Sequence, residues 1–395
     1  MKTLLTDFLQ TIKTADKFVV VFSLVMVTRS LGFLYLPDYY GYIFLLVMSA
    51  YSLYRVSEVS NQILLLITYL AFNILVTNPN EIFKPWMRLG LFVLLLLSVG
   101  PFLQSEKLRK KRRQVFDVII WLSSFFSVLS FFCYFLGINY MYVSPDISIY
   151  NSAGTFGGLF NQSMMMGPIA GLSAIFLSYK YYQKRNRWYL YCALCCFGAV
   201  FLSSSRSSLM ATFSGTLVMI YKASGGKTKF IKIATAVVLI ASISFPIWGG
   251  LTNGLQIKQS NNLEDGGSAF ASREDKWDAR LAEFKSSPVF GIGYASVDSK
   301  LDDVGSDGTI EPGTSWLAVL SMAGILGFLI FVKLFFTCYK ACNRMLENKD
   351  AMLLGFLALF AVHMFAEGYV FAAGGFLCFI LWLVVGVCYD RKYSK

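Results

Sequence analysis

Two arginines and three apolar residues are spaced to share one face of a helix predicted between Ser272 and the turn at Pro288. At about 100° per residue, this face consists of Arg273, Trp277, Arg280, Leu281 and Phe284. The acids Glu274, Asp275, Asp278 and Glu283 lie outside it. Guanidinium groups on such a face suit an anion bound beside a membrane. The alternative is an amphipathic helix lying on the bilayer, with its arginines reaching lipid headgroups.

A second candidate is Arg206, which lies in the run of serines 203–208 between two apolar stretches. An arginine at bilayer depth is costly unless it is paired or faces water, so Arg206 is a candidate functional residue. The alternative is that its side chain extends to the membrane interface.

Two further pairs of polar residues lie near predicted span ends. Asn161 and Gln162 follow a glycine-rich stretch, where they either line a polar cavity or form a turn and helix cap. His363, the only histidine, precedes Glu367 by four residues on one face of a predicted span. This pair is either an acid–base couple or a hydrogen-bonded pair that packs two helices together.

The composition is that of a membrane protein. Of the 395 residues, 56% are hydrophobic and 15% are charged, whereas a soluble protein carries about 25% charged residues. Repeated apolar runs predict an all-α polytopic membrane protein with about twelve transmembrane helices. The predicted spans are 18–36, 40–54, 62–77, 88–104, 116–136, 164–180, 188–205, 207–222, 230–248, 314–338, 351–368 and 371–388.

The distribution of basic residues predicts the orientation. With the N-terminus in the cytoplasm, 24 of the 35 lysines and arginines lie in inside segments, and only Lys84, Arg88 and Arg206 lie in short outside loops. Both termini are therefore predicted to be cytoplasmic. Residues 1–395 form a single integral membrane domain. Residues 249–313 form a long external, periplasmic-side loop between the ninth and tenth spans, and this loop contains the amphipathic helix.

The same distribution argues against nucleic acid as a partner, although the net charge is +12. All eight cysteines lie in or beside apolar spans, so no disulfide framework is predicted. Cys192, Cys195 and Cys196 are interpreted as packing residues. Asp302 and Asp303 are interpreted as solvated acids, and no metal site is predicted.

Several short motifs occur in a fixed order along the chain. They are Asn161-Gln162, Ser205-Arg206, Ser272-Arg273-x-x-x-Trp277, Ser287-Pro288-Val289-Phe290-Gly291-Ile292-Gly293, and Ser315-Trp316-Leu317-x-x-Leu320-x-x-x-Gly324-Ile325-Leu326-Gly327. This ordered set resembles the O-antigen ligase and Wzy-type O-antigen polymerase family. The resemblance covers mainly residues 150–330.

The resemblance implies a metal-independent, GT-C-like glycosyltransferase in the bacterial cytoplasmic membrane, with no cofactor. Such an enzyme transfers glycan from an undecaprenyl diphosphate carrier to an acceptor sugar hydroxyl on the outer face. By motif, the family's diphosphate-binding arginines correspond to Arg206 and Arg273, and Arg280 is added from the helical face. Asn161, Gln162 and Trp277 are predicted to contact other parts of the substrate.

At one position the sequence departs from the family's ligases. The ligases carry a histidine just before the block Thr314-Ser315-Trp316-Leu317, where this chain has Gly313. The departure favours a polymerase. Glu311 is the first candidate for the base, Glu367 the second and His363 the third, because a carboxylate accepts a hydroxyl proton when its surroundings raise its pKa.

The leading hypothesis is a repeat-unit polymerase for a surface polysaccharide such as O-antigen, capsule or exopolysaccharide. The alternatives are a ligase that moves finished glycan to another acceptor and a non-enzymatic transporter of lipid-linked oligosaccharide. Ionisable candidates gather at the outer surface and no internal repeat is visible, which favours an enzyme over a transporter. The expected partners are undecaprenyl-diphosphate-linked oligosaccharide, the bilayer, and a flippase and chain-length regulator of the same pathway.

Cysteine labelling tests the predicted topology. In a background without the native cysteines, Ser260→Cys should react with a membrane-impermeant reagent in intact cells, because residues 249–313 are predicted to be external. Ser394→Cys should react only after the membrane is permeabilised. The reverse pattern would overturn the topology and the proposed location of the chemistry.

Overall fold

The computed structural model describes residues 2–34, 36–141, 155–225, 228, 230–232, 271–301, 304–305, 308, 310–344 and 350–393. Of these described residues 75% are helical. The one sheet among the described residues is a short antiparallel ribbon that pairs β1 (Glu58–Val59) with β2 (Leu103–Gln104). The predicted all-α fold is therefore confirmed.

Thirteen α-helices can be delimited within the described residues. They are α1 (Lys2–Thr14), α2 (Lys17–Thr28), α3 (Asp38–Arg55), α4 (Asn61–Thr77), α5 (Pro85–Ser98), α6 (Glu106–Phe135), α7 (Ser163–Lys184), α8 (Arg187–Leu202), α9 (Arg206–Ser224), α10 (Ala271–Ser286), α11 (Ser315–Arg344), α12 (Ala351–His363) and α13 (Phe376–Asp390). Single 3-10 turns at Glu81–Phe83 and Arg391–Tyr393 precede α5 and follow α13.

Eleven of the twelve predicted spans overlap a helix in the described part of the chain. The remaining one, 230–248, lies outside the described residues beyond position 232. The first predicted span, 18–36, is shortened because α2 ends at Thr28, and the last two spans are separated by residues 364–375, which are not helical. Gly368, Gly374 and Gly375 fall in this segment, and glycine weakens a helix because it loses the most backbone freedom on folding.

Several helices carry the surface expected of a membrane protein. Within the described residues, α6 and α11 are long and apolar enough to cross a bilayer by length and composition. The helices α2, α4, α8 and α12 are also apolar but shorter. Leu46, Leu75 and Leu329 are among many large apolar side chains that are exposed, as expected where lipid replaces water. The count of twelve spans stays a prediction.

The chain divides into two compact units. The first comprises residues 1–41, 114–269 and 342–363. In it, α9 packs against α12 and α7, and α7 packs against α8. Gly215 and Gly355 face each other, since a Cβ on Gly355 would lie 2.8 Å from the Gly215 carbonyl oxygen. Small residues of this kind allow two membrane helices to approach closely.

The second unit comprises residues 42–113, 270–341 and 364–395. Its α13 packs against α5, where Trp382 lies edge-on to Phe92 with ring centroids 5.1 Å apart. The Trp382 indole N–H donates to the carbonyl of Val370 at 2.9 Å. A buried indole needs such a partner, and here it anchors part of the non-helical segment 364–375 to α13.

Helix α11 is broken at Gly324, whose φ of 62° and ψ of −173° are not helical. The turn that follows α10 docks against this break. The backbone N–H groups of Ile292 and Gly293 donate to the carbonyls of Ser321 and Met322 at 2.9 and 3.1 Å, and that of Ile325 donates to Pro288 at 2.9 Å. Carbonyls and an amide freed by the break are thus satisfied by the turn.

Gly291 and Gly324, the two motif glycines at this contact, are required there for a steric reason. A Cβ on Gly291 would lie 2.6 Å from the Gly324 nitrogen, and a Cβ on Gly324 would lie 2.7 Å from the Gly291 nitrogen. Both are backbone atoms that have no room to move. Only glycine also adopts the Gly324 backbone conformation readily. The two sequence motifs therefore form one interlocked structure.

Alanine substitution tests this interlock. Gly324→Ala should destabilise the protein by about 1–3 kcal/mol, because it forces a side chain into a glycine-only conformation. Gly90→Ala is the matched control, since a Cβ on Gly90 meets nothing within 4 Å. The control should be neutral or stabilising by up to about 1 kcal/mol. Thermal unfolding of the purified protein in detergent measures both. Equal melting temperatures for the two variants would contradict the interlock.

Candidate functional site

Helix α10 carries the arginine face predicted from the sequence, with two corrections. Arg273, Trp277 and Phe284 are half-buried and Arg280 is buried, as a shared inner face requires. Leu281, however, is exposed, and Glu283 is buried. The prediction that Glu283 lies outside this face is wrong because its carboxylate binds groups on the inside of the second unit. The side chain of Ser272, the predicted cap, lies outside what the structure describes.

Arg280 and Glu283 form a fully buried ion pair, with 2.9 Å between Nη2 and Oε1. Glu283 Oε1 also accepts the backbone N–H of Asp298 at 2.7 Å. A buried charge is stable only when it is paired and hydrogen-bonded. Through the Glu283 carboxylate, the pair therefore connects α10 to the backbone at Asp298. The predicted contact of Arg280 with a diphosphate stays a prediction.

Arg273 lies between two carboxylates from other parts of the second unit. Its Nη1 donates to Glu311 Oε1 at 3.1 Å, and its Nη2 donates to Glu367 Oε1 at 2.9 Å. The Glu311 side chain is 68% exposed, whereas those of Arg273 and Glu367 are 19% and 14% exposed. We call these three residues the Arg273 cluster. The cluster brings the motif arginine of α10, Arg273, together with Glu311 and Glu367, the two carboxylates predicted as bases.

The backbone around Glu367 is held by the start of α11. Ser315 Oγ donates to the Glu367 carbonyl at 2.6 Å and accepts the N–H of Tyr369 at 3.0 Å. The Ser315 N–H donates to the Met364 carbonyl at 2.8 Å. These bonds satisfy backbone groups that have no helical partner, because α12 ends at His363. They also give the Ser315 of the motif a positioning role.

Gly313 occupies the position where the family's ligases carry a histidine. Its φ is +71°, in the region that favours glycine. A Cβ there would lie 2.5 Å from the Cβ of Lys276 on α10. A side chain at this position would therefore require both backbone strain and displacement of Lys276.

Arg206 is the first residue of α9 in the first unit. Ser205 caps this helix, accepting the Ser208 N–H at 3.3 Å. Ser208 Oγ in turn lies 3.2 Å from His363 Nε2 and 2.8 Å from Ser205 Oγ. The N-terminus of a helix carries a partial positive charge that attracts anions, and the half-buried Arg206 adds to it.

The predicted placement of His363 and Glu367 on one helix face is wrong. Helix α12 ends at His363, so the spacing of four residues no longer implies a common face. His363 is buried and bonds to Ser208, while Glu367 bonds to Arg273. The structure supports His363 as a residue that packs α12 against α9. Its role as a base stays a prediction.

Asn161 and Gln162 form a turn and the start of α7. The Asn161 backbone N–H donates to the Ser30 carbonyl at 3.0 Å, and its side-chain amide donates to the Arg29 carbonyl at 3.4 Å. Gln162 is the exposed N-cap residue of α7. The sequence left open either a polar cavity lining or a turn and helix cap, and this geometry corresponds to the turn and helix cap. Their contacts with substrate, like that of the half-buried Trp277, stay predictions.

Asn73, a buried polar residue within the apolar helix α4, is a structural contact of this site that was not predicted from the sequence. Its side-chain amide donates to the Phe290 carbonyl at 2.5 Å, and its Oδ1 accepts the Tyr294 N–H at 2.7 Å. It thereby connects α4 to the turn after α10. An amide within an apolar stretch is the signal that would have identified it. Asp302 and Asp303 lie outside the described residues.

The described residues form an all-α fold in which two helices are long and apolar enough to cross a membrane, and the second unit holds the Arg273 cluster. Residues 191–332 match the model of the O-antigen ligase family. The expected O-antigen ligase and polymerase family is thereby shown for this segment, which contains Arg206, Arg273 and Glu311. Members transfer glycan from lipid-linked oligosaccharide in a membrane. No curated protein matches the chain.

Removing one partner tests the buried pair on α10. Glu283→Ala should destabilise the protein by about 3–5 kcal/mol, because it leaves the Arg280 charge buried without its carboxylate. Glu274→Ala, at an exposed position on the same helix, should change stability by no more than about 0.5 kcal/mol. Thermal unfolding in detergent measures the difference. A Glu283→Ala variant as stable as the control would show that the pair does not fasten α10.

Proposed function

We propose that this protein is a repeat-unit polymerase for a surface polysaccharide. It transfers glycan from an undecaprenyl diphosphate carrier to a sugar hydroxyl, on the outer face of the bacterial cytoplasmic membrane and without a metal ion. Both termini are cytoplasmic, and the segment 249–313 is external. Its working partners are the lipid-linked oligosaccharide, a flippase and a chain-length regulator of the same pathway.

The Arg273 cluster is the observation that carries this proposal. A guanidinium group presents a planar fork of donors that fits phosphate oxygens and keeps its charge at any physiological pH. Arg273 directs this fork at two carboxylate oxygens, which are the protein's own substitutes for an anionic ligand. The cluster combines a phosphate-binding group with candidate proton acceptors, as glycan transfer from a diphosphate requires.

The two carboxylates differ in how readily an incoming diphosphate displaces them. The exposed Glu311 pair is weak, because water competes for both partners. The Glu367 pair is mostly shielded from water and therefore stronger. We infer that the diphosphate replaces Glu311 on Arg273 while Glu367 continues to orient the guanidinium. Arg206, which corresponds by motif to a diphosphate-binding arginine of the family, is likewise proposed to bind the diphosphate.

Displacement from Arg273 prepares Glu311 to act as the base. The carboxylate loses its positive partner on Arg273, so its oxygens become available to accept a proton from the acceptor hydroxyl. The acceptor hydroxyl oxygen then attacks the anomeric carbon and its proton passes to Glu311. The bond between the anomeric carbon and the phosphate oxygen breaks, and the diphosphate leaves with the electron pair. Arg273 stabilises the negative charge that develops on it.

A ligase is the second candidate, because the matching family model is that of O-antigen ligase. The geometry at Gly313 favours the polymerase. Its positive φ and its contact with Lys276 leave no place for the histidine that the ligases carry there. An assay with lipid-linked oligosaccharide separates the candidates by product. A polymerase makes a ladder of chain lengths, a ligase moves glycan to a different acceptor, and a transporter changes only the side of the membrane.

In that assay, Arg273→Lys and Arg206→Lys should each reduce polymer formation by about tenfold or more, because lysine keeps the charge but loses the two-pronged contact. Both variants should remain folded, with melting temperatures close to that of the unmodified protein. Lys276→Arg serves as a control for a basic residue of α10 outside the cluster. Normal polymer from either Arg→Lys variant would remove that arginine from diphosphate recognition.

Separate amide substitutions assign the roles of the two carboxylates. Glu311→Gln should lower kcat by about 10²–10⁴-fold while KM for the lipid donor stays equal or falls, because a competitor for Arg273 is gone. Glu367→Gln should raise KM for the donor, because Arg273 loses its orienting partner. Glu274→Gln is the matched control on α10. A large loss of kcat in Glu367→Gln, with Glu311→Gln fully active, would exchange the two assignments. Full activity of both would make His363→Ala the next test.

A further inference from the structure

A cavity of about 310 Å³ lies within the second unit. Its lining residues belong to the start of α5, to the first turns of α11 and to the non-helical stretch 370–375, together with Ala295, Ile310, Pro312 and Gly368. Most of the lining is apolar, including Leu91, Met322 and Phe371. A volume near 300 Å³ is at the lower end of small-molecule sites. It suits one or two sugar rings and is too small for a polyprenyl chain.

The cavity adjoins the Arg273 cluster through the chain itself. Pro312 and Gly368 line it, and they directly follow Glu311 and Glu367 in sequence. The two segments are in contact, since a Cβ on Gly368 would lie 2.6 Å from Pro312 Cγ. A molecule in the cavity would therefore lie beside the backbone that carries both carboxylates.

One residue gives the cavity its charge. Arg88 is the single ionisable side chain among the described residues that line it. Its Nη2 donates to the Gly308 carbonyl at 2.6 Å, which fixes the guanidinium in place. Gly375, the N-cap of α13, also lines the cavity and adds the positive end of a helix. The site therefore combines apolar walls with positive potential.

The phenol of Tyr294 supports the same polarity. Tyr294 precedes the lining residue Ala295, and its ring packs against Phe371 with centroids 5.1 Å apart. Its hydroxyl is buried and has no hydrogen-bond partner among the described residues. Burial raises the pKa of this phenol, and the positive charge of Arg88 opposes the rise.

We infer that this cavity is the subsite for the acceptor's reacting sugar and that it selects a sugar bearing a carboxylate. This assignment rests on the proposed glycan transfer. Apolar faces of a sugar ring pack against Phe371, and Arg88 binds the carboxylate. An acceptor hydroxyl at the edge of the cavity then faces the carboxylates of the Arg273 cluster. The repeat unit of the polymer would accordingly contain a uronic acid.

Binding of two simple probes to the purified full chain in detergent tests the inference. Methyl β-glucuronide and methyl β-glucoside differ only in the carboxylate, and ligand-observed NMR titration measures each Kd. The glucuronide should bind at least about tenfold more tightly than the glucoside, as one charge-assisted contact provides. Arg88→Gln should remove this preference. Lys84→Gln, a nearby cation that does not line the cavity, should retain it.

A second pair of variants tests the cavity itself. Ala372→Phe places a ring at an exposed lining position and should weaken binding of both probes. Ala282→Phe, at an exposed position of α10 that does not line the cavity, should change neither. Equal affinity of the two probes for the unmodified protein would overturn the inference. An unchanged preference for the glucuronide in Arg88→Gln would also overturn it. If Arg88→Gln fails to fold, unchanged binding of both probes to Ala372→Phe would overturn it instead.

The outcome separates this inference from the proposed function. Normal polymer formation without a preference for glucuronide would remove the acidic acceptor and leave the polymerase in place. Binding of glucuronide that depends on Arg88, in a protein that forms no polymer and transfers no glycan, would remove the polymerase and leave an acidic-sugar site. Only the absence of both polymer formation and the preference for glucuronide would remove the proposed function and this inference together.

Discussion

The second unit depends on the backbone hydrogen bonds between the turn after α10 and the break in α11. A helix interrupted in an apolar surrounding leaves amide and carbonyl groups that have no water to bind. The turn 288–293 supplies those partners, and Gly291 and Gly324 allow the two backbones to approach. Asn73 binds the same turn from α4. The position of α10, and with it that of Arg273, follows from this contact.

The Arg273 cluster shows how a basic site can be kept ready without its substrate. A half-buried guanidinium needs anionic partners, and Glu311 and Glu367 provide them. The difference in exposure between the two carboxylates gives them separate roles in the proposed mechanism. One is released when the diphosphate binds, and the other remains. Substrate binding and preparation of the base are then the same event.

The sequence was sufficient for much of this fold because apolar periodicity and charge distribution are strong signals in membrane proteins. Most predicted spans correspond to helices, and Arg273, Glu311 and Glu367 were all singled out as candidate site residues without any prediction that they contact one another. Three features needed tertiary structure. Glu283 is buried because Arg280 and the Asp298 N–H bind it, which helical periodicity does not encode. The end of α12 at His363 separates a pair that spacing had placed together. The break at Gly324 depends on a segment distant in sequence.

The exchange of Glu311 for diphosphate on Arg273 is the central claim, and an experimental structure with the lipid diphosphate donor bound tests it most directly. Phosphate oxygens should lie within hydrogen-bond distance of the Arg273 guanidinium, with Glu367 still paired with it and Glu311 displaced towards the acceptor side. A bound diphosphate that leaves both carboxylates on Arg273 and contacts other residues would contradict this exchange.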